Sequence, residues 1–286
     1  MTPRQRTLGV TVGITLGVTT VLGLAGYGAR ELLRLQAQTA RRLIGKPLGE
    51  EAVAADRTWR RRYRRPDVRP LRLLVLGDSI AAGLGAQRRK ETLGARLAIR
   101  LARATHRPVR LRTEAVVGAE SSDLAAQLAR LEPDYRADVA VIVVGGNDVT
   151  HRVPVSTSVR HLASAVDSLH ARGTPVVVGT CPDLGALRAV PQPLRSLGGL
   201  ASRQLAAAQR VAVVSRGAHA VSLARVVGPF FASNPDEMFS LDRFHPSPLG
   251  YKRTATAMLP SVLAALGLLD ELPEGHHAPV RRRFGE

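Results

Sequence analysis

Cysteine is all but missing from this chain of 286 residues: Cys181 stands alone, so no intrachain disulfide can form, and a single thiol does not fix the compartment. Set after an apolar run and before Pro182, it reads as a small packing residue rather than a reactive one. Aromatics are only 3% of residues and no nucleic-acid module can be recognised, so the formal charge of +18, spread along the whole chain, does not by itself imply DNA or RNA as a partner. Nucleotide loops are also lacking. No Gly-Lys-Ser/Thr ending is present, and Gly83-Leu84-Gly85 lacks a third glycine and stands too far from the strand before it. His276-His277 is a tail pair without the further ligands a metal needs, and neither metal nor cofactor is expected.

What the chain does have is a regular alternation of apolar runs and helical periods. Leu71–Leu76, Val109–Ala115, Val139–Val144 and Pro175–Gly179 read as strands, with a shorter one near Ala220–Leu223. Between and after them, Thr92–Ala104, Ser122–Leu131, Thr157–Ala171, Leu194–Arg216 and Ser247–Leu266 carry helical periodicity. Strands alternating with helices predict parallel pairing and a doubly wound α/β sheet, because each crossover has to return along a face of the sheet. The pattern leaves the strand order open.

Three segments break the apolar pattern with polar residues at strand ends or before a helix: Gly77-Asp78-Ser79, Gly145-Gly146-Asn147-Asp148 and Asp242-Arg243-Phe244-His245. Ser79 emerges at the carboxyl end of the first predicted strand, where open α/β sheets bind ligands. A serine hydroxyl is a weak nucleophile until a base takes its proton, and the base needs a third group to orient it; His245 and Asp242 offer those two roles. Asn147 offers an amide donor for an oxyanion. Singly, Ser79 reads as a helix N-cap and the other two segments as ordinary turns. Together, in one order and at strand ends, they read as a site.

The chain here resembles the GDSL esterases, also called SGNH hydrolases. Gly77-Asp78-Ser79-Ile80 is similar to the Gly-Asp-Ser-Leu block, with isoleucine for the usual leucine. Gly118, within Val116-Val117-Gly118-Ala119-Glu120-Ser121, matches the oxyanion-hole glycine that follows a strand, though one such glycine is a weak signal. Gly145 to Asp148 matches Gly-x-Asn-Asp, and Asp242 to His245 matches Asp-x-x-His. The resemblance implies a flavodoxin-like three-layer α/β/α sandwich, the SGNH hydrolase fold, over residues 71–268. It implies a serine ester hydrolase with Ser79, His245 and Asp242 as triad, and Ser79, Gly118 and Asn147 as oxyanion donors. Asp148 reads as structural. His151, close behind Asn147, is expected at the surface or at the cleft edge.

Leu8 to Ala29 holds no charged residue, and 22 helical residues at about 1.5 Å each span a hydrocarbon core of roughly 30 Å. The segment is expected to be an N-terminal transmembrane anchor over residues 1–29. A cleaved signal peptide, which would leave a secreted protein, is the competing reading. Gly9, Gly13 and Gly17 recur at the spacing of weakly self-associating transmembrane helices. Residues 30–70 read as an amphipathic and basic linker, in which Trp59 to Arg65 suits anionic head groups, and 269–286 as a flexible tail. The excess of arginine after the span assigns the domain to the cytoplasm by the positive-inside rule. Export of relatives with such segments implies the outer face, which is the expectation adopted.

Substrate contacts come from loops rather than from the catalytic blocks. Cys181–Gly199, with Pro182, Leu184, Leu187, Val190, Pro191, Pro193 and Leu194, is the expected lid, and Gly228-Pro229-Phe230-Phe231 a second apolar wall. Apolar walls favour acyl and lipid esters. A carbohydrate or cell-wall O-acetyl esterase is the alternative, and a non-catalytic protein binding anionic surfaces or nucleic acid is the alternative of another class.

Overall fold

The computed structural model describes residues 27–44, 49 and 51–280. Its elements in chain order are helix α1 (27–44), β1 (Thr58–Trp59), β2 (Leu71–Gly77), α2 (Ser79–Ala82), α3 (Leu93–Thr105), β3 (Val109–Thr113), α4 (Leu124–Ala129) and β4 (Val139–Val143). There follow α5 (Gly146–Thr150), α6 (Val155–Ala171), β5 (Val176–Gly179), α7 (Leu194–Val214), β6 (His219–Val221) and the short helices α8 (Leu223–Val226), α9 (Gly228–Ser233) and α10 (Pro235–Met238). Helix α11 (Pro248–Ala265) and β7 (His276–His277) are the last described elements. The predicted strands and long helices are all present, with ends moved by a few residues.

The sheet runs β1-β3-β2-β4-β5-β6-β7. Its five central strands are parallel, and counted along the chain they stand in the order 2-1-3-4-5, the flavodoxin-like arrangement. Alternation along β2 explains the layering. Leu73 and Val75 pack on one side with Leu93, Leu97, Leu101, Met258 and Val262 of α3 and α11. Leu74 and Leu76 pack on the other with Leu124, Leu128, Leu162, Val166 and Val213 of α4, α6 and α7. Each fully buried leucine contributes about 1.5–3 kcal/mol.

The sheet reaches beyond both expected domain limits. Within the basic segment expected as linker, β1 pairs antiparallel with β3, Ala55 enters the core, and the Asp56 carboxylate accepts from Thr113 N. In the expected flexible tail, β7 pairs antiparallel with β6, while His276 and His277 bond the Ser261 and Ser222 hydroxyls. Two-residue strands have too little period to be read from sequence. The expected transmembrane helix and the Gly9, Gly13, Gly17 face lie outside the described residues, apart from the end of the apolar run at 27–29. Among the described residues no helix is long and apolar enough to cross a membrane.

Where β2 ends, Gly77 has φ of +128°, and a Cβ there would come within 1.9 Å of the Val143 carbonyl oxygen. Gly77→Ala is therefore expected to lower stability by about 3 kcal/mol or more, read as the urea midpoint. The same residue is gripped by Gln127, whose buried side-chain amide donates to Gly77 O and accepts from Gly77 N, both at 2.8 Å. Sequence reading passed over Gln127; its one signal is a polar residue on the apolar face of a helix.

Candidate active site

Ser79 is the first residue of α2, so its backbone N–H has no intrahelical partner. Asp78 caps that helix, accepting from Ile80 N at 2.9 Å. The Asp242 to His245 segment is a tight turn closed by Ser240 N to His245 O at 2.7 Å, and Arg243 takes a left-handed conformation with φ of +56°. One Asp242 oxygen builds the turn, accepting from Phe244 N and His245 N at 3.0 Å each. The other meets His245 Nδ1 at 2.5 Å. His245 Nε2 in turn stands 2.9 Å from Ser79 Oγ.

A second set of contacts fixes the turn beside the serine although 166 residues separate Ser79 from His245. Gly85 has φ of +103°, and a Cβ there would lie 2.4 Å from the Pro246 carbonyl oxygen. Ser240 Oγ donates to Gly85 O, and the buried Tyr251 hydroxyl donates to Leu84 O at 2.6 Å. The Gly83-Leu84-Gly85 segment thus serves close packing beneath the histidine.

Asn147 lies on α5 and lines the same cavity as Ser79 and His245. One N–H of its amide donates to Ala119 O at 2.9 Å, leaving the second available. Gly118, one residue before that carbonyl, is exposed and stands outside the cavity lining. Asp148 is buried and accepts from Ser121 N through both oxygens, which ties the loop after β3 to the loop after β4. His151 bonds Glu120 at the surface and does not line the cavity. Gln209, unmarked in the sequence, joins Cys181 N and Val144 O.

The cavity is open to solvent, and its free space comes to about 780 Å³ with the open mouth included. Pro182, Leu184, Ala186 and Leu187 form one wall, and Leu223, Val227, Phe231, Phe239 and Phe244 much of the rest. Of the expected lid, Val190, Pro191, Pro193 and Leu194 stand outside the lining; Phe230 does too, lying under the Arg253 guanidinium.

Electrostatics separate the two aspartates. Burial pushes Asp242 up, but hydrogen bonds from the His245 ring and from the His245 and Phe244 backbone outweigh it and hold the carboxyl below its ordinary range. Asp78 moves the other way: burial raises it from 3.8 to about 6, opposed by the Ile80 N–H and by His245 and reinforced by Asp148. Above the unfolded value the folded protein retains a proton that the unfolded chain has released, so stability falls as pH rises toward and through about 6. The difference amounts to about 3 kcal/mol by neutral pH. Asp78→Asn is expected to remove about 2 kcal/mol or more of the stability change between about pH 4 and pH 7.5, measured by urea unfolding at both.

Residues 75–253 match the model of the GDSL-like lipase/acylhydrolase family. A GDSL-like esterase of Mycobacterium tuberculosis is 38% identical over 285 residues, covering 97% of this chain and 88% of its own. A lipase from a goat rumen metagenome has a similar fold, with TM-score 0.56, 19% identity, and 70% of this chain against 98% of its own. An acetylxylan esterase of Geobacillus stearothermophilus gives 0.53, 18%, 71% and 97%. At those identities the two structures speak to the fold alone. Family match and close relative agree with the serine that the fold sets at a strand end: this chain is a serine ester hydrolase and belongs to the GDSL-like lipase/acylhydrolase family.

Proposed function

We propose that the chain hydrolyses acyl esters, lipid esters foremost, through a triad of Ser79, His245 and Asp242. The observation that carries this reading is the unbroken relay from Asp242 Oδ2 through His245 to Ser79 Oγ at the floor of an apolar cavity. His245 Nε2 takes the Ser79 proton as Oγ attacks the ester carbonyl carbon, and the carbonyl electrons move onto oxygen. The Ser79 backbone N–H and the free Asn147 N–H, both at the cavity, receive that oxyanion. Collapse breaks the bond to the alcohol oxygen, which leaves with the proton from His245. Water, deprotonated by the same nitrogen, then attacks the acyl-enzyme carbonyl; the carbon–Oγ bond breaks, Ser79 Oγ takes the proton back from His245, and the acid leaves.

Asp242, held ionised, keeps the imidazole in the tautomer that presents a bare Nε2 to the serine. Asn147→Ala is expected to lower kcat by about 10²- to 10³-fold with little change in KM, since the lost bond belongs to the transition state. Nitrophenyl esters from acetyl to palmitoyl, with Ser79→Ala alongside, test the substrate class. Serine-dependent turnover that favours longer chains supports acyl and lipid esters, in keeping with the apolar walls. Turnover confined to acetyl assigns the site to O-deacetylation, and no turnover from folded protein contradicts the reading.

A further inference from the structure

Helix α1 is joined to the segment that follows one wall of the ester cavity. The Gln36 side chain donates to Gln192 O and accepts from Leu194 N at 3.0 Å, clasping the turn that opens α7. Within that first part of α7, Gly199 lies against Gly185. Gly185 sits between Leu184 and Ala186, both in the cavity wall. Leu33, Gln36, Ala37, Ala40 and Ile44 form the half-buried or buried stripe of α1. A second stripe, Leu32, Leu35 and Leu43, lies ~100° round the helix and is exposed. On α7, Leu197 and Leu200 follow Leu194 at one-turn spacing and are also exposed, Leu200 to 61%.

We propose that these α1 and α7 leucines rest on an anionic lipid bilayer, so that the cavity opens beside the membrane and takes bilayer-held acyl esters. The inference rests on the esterase reading above and adds where the substrate comes from. The occupant follows from the chain itself. The uncharged run beginning at Leu8 ends at Ala29, inside the first turn of α1, and exposed Arg30, Arg34, Arg41 and Arg42 lie along the same helix with Glu31 as its one acid. Apolar residues beside arginines suit the boundary between acyl chains and acidic head groups. The basic segment Arg60 to Arg65 does not share this surface. It leaves β1 at the amino-terminal end of the strands, the pole opposite Ser79, so one flat bilayer cannot meet both.

Full-length protein reconstituted with phosphatidylcholine vesicles, with and without phosphatidylglycerol, provides the test. An environment-sensitive dye on Leu200→Cys should shift to the blue on vesicles, more so on anionic ones. The same dye on Leu268→Cys, exposed beyond the far end of α11, should not, and buried Cys181 stays unlabelled. Equal responses at the two positions, no response at either, or shielding of the Leu200→Cys dye by dimerisation without lipid overturns the proposal. A Leu197→Glu/Leu200→Glu variant should lose about tenfold or more of its turnover of vesicle-held nitrophenyl palmitate while keeping that of dissolved nitrophenyl acetate. Unchanged turnover of both, or equal loss of both, counts against docking. If wild-type protein hydrolyses neither ester, the esterase reading fails while the dye experiment still decides the docking surface.

Discussion

Ser79→Ala is expected to reduce kcat/KM toward any ester by about 10⁴- to 10⁶-fold, leaving the fold intact. The size of the loss follows from the chemistry. Without Oγ no acyl-enzyme forms, and the oxyanion donors and the cavity provide the residual rate. Stability should barely move, because the hydroxyl bonds only His245 among the described residues, and its backbone position in α2 is set by the Asp78 cap. Steady-state kinetics on nitrophenyl esters, paired with urea unfolding of the same preparation, separates loss of the nucleophile from loss of the fold. Activity near that of wild type would overturn the assignment.

Asp242→Asn is expected to lower kcat by roughly 10⁴-fold, again with a folded protein. One oxygen at this position is committed to the Phe244 and His245 N–H groups. An asparagine can keep that oxygen where it is only by turning its NH₂ toward His245 Nδ1. The ring must then accept at Nδ1 and carry its proton on Nε2, facing Ser79 Oγ, so it no longer serves as a base. KM should change little, since the residue does not line the cavity. Stopped-flow acylation with a nitrophenyl ester reads the step directly, and a rate within tenfold of wild type would contradict the proposed role.

The central strands and their crossovers were legible because burial on two faces leaves apolar runs, leucine-rich in β2 and β-branched in β4 and β5, and each helix shows its own period. The site was legible for a related reason. Ser79, Asn147 and the Asp242 to His245 pair stand where an apolar pattern stops, and three-residue spacing lets one turn hold acid and base together. What stayed hidden depends on contacts distant in sequence. Gln127 and Gln209 resemble any helical glutamine until the sheet places Gly77 and Val144 beside them. β1 and β7 are recognised by their partners, not by their own residues. The short helices after β6 fall in a stretch where period cannot be measured, yet they bring Leu223, Val227 and Phe231 to the cavity. Gly118 marks the converse: its motif position was clear, while its exposed setting emerged only with the loop after β3.

Mapping the covalent adduct formed by a fluorophosphonate ester most directly tests the claim that Ser79 is an activated nucleophile. Intact-protein and peptide mass spectra should show one adduct per chain, on Ser79, lost in Ser79→Ala and strongly slowed in Asp242→Asn. An adduct on another residue, or one that persists in Ser79→Ala, would contradict the mechanism.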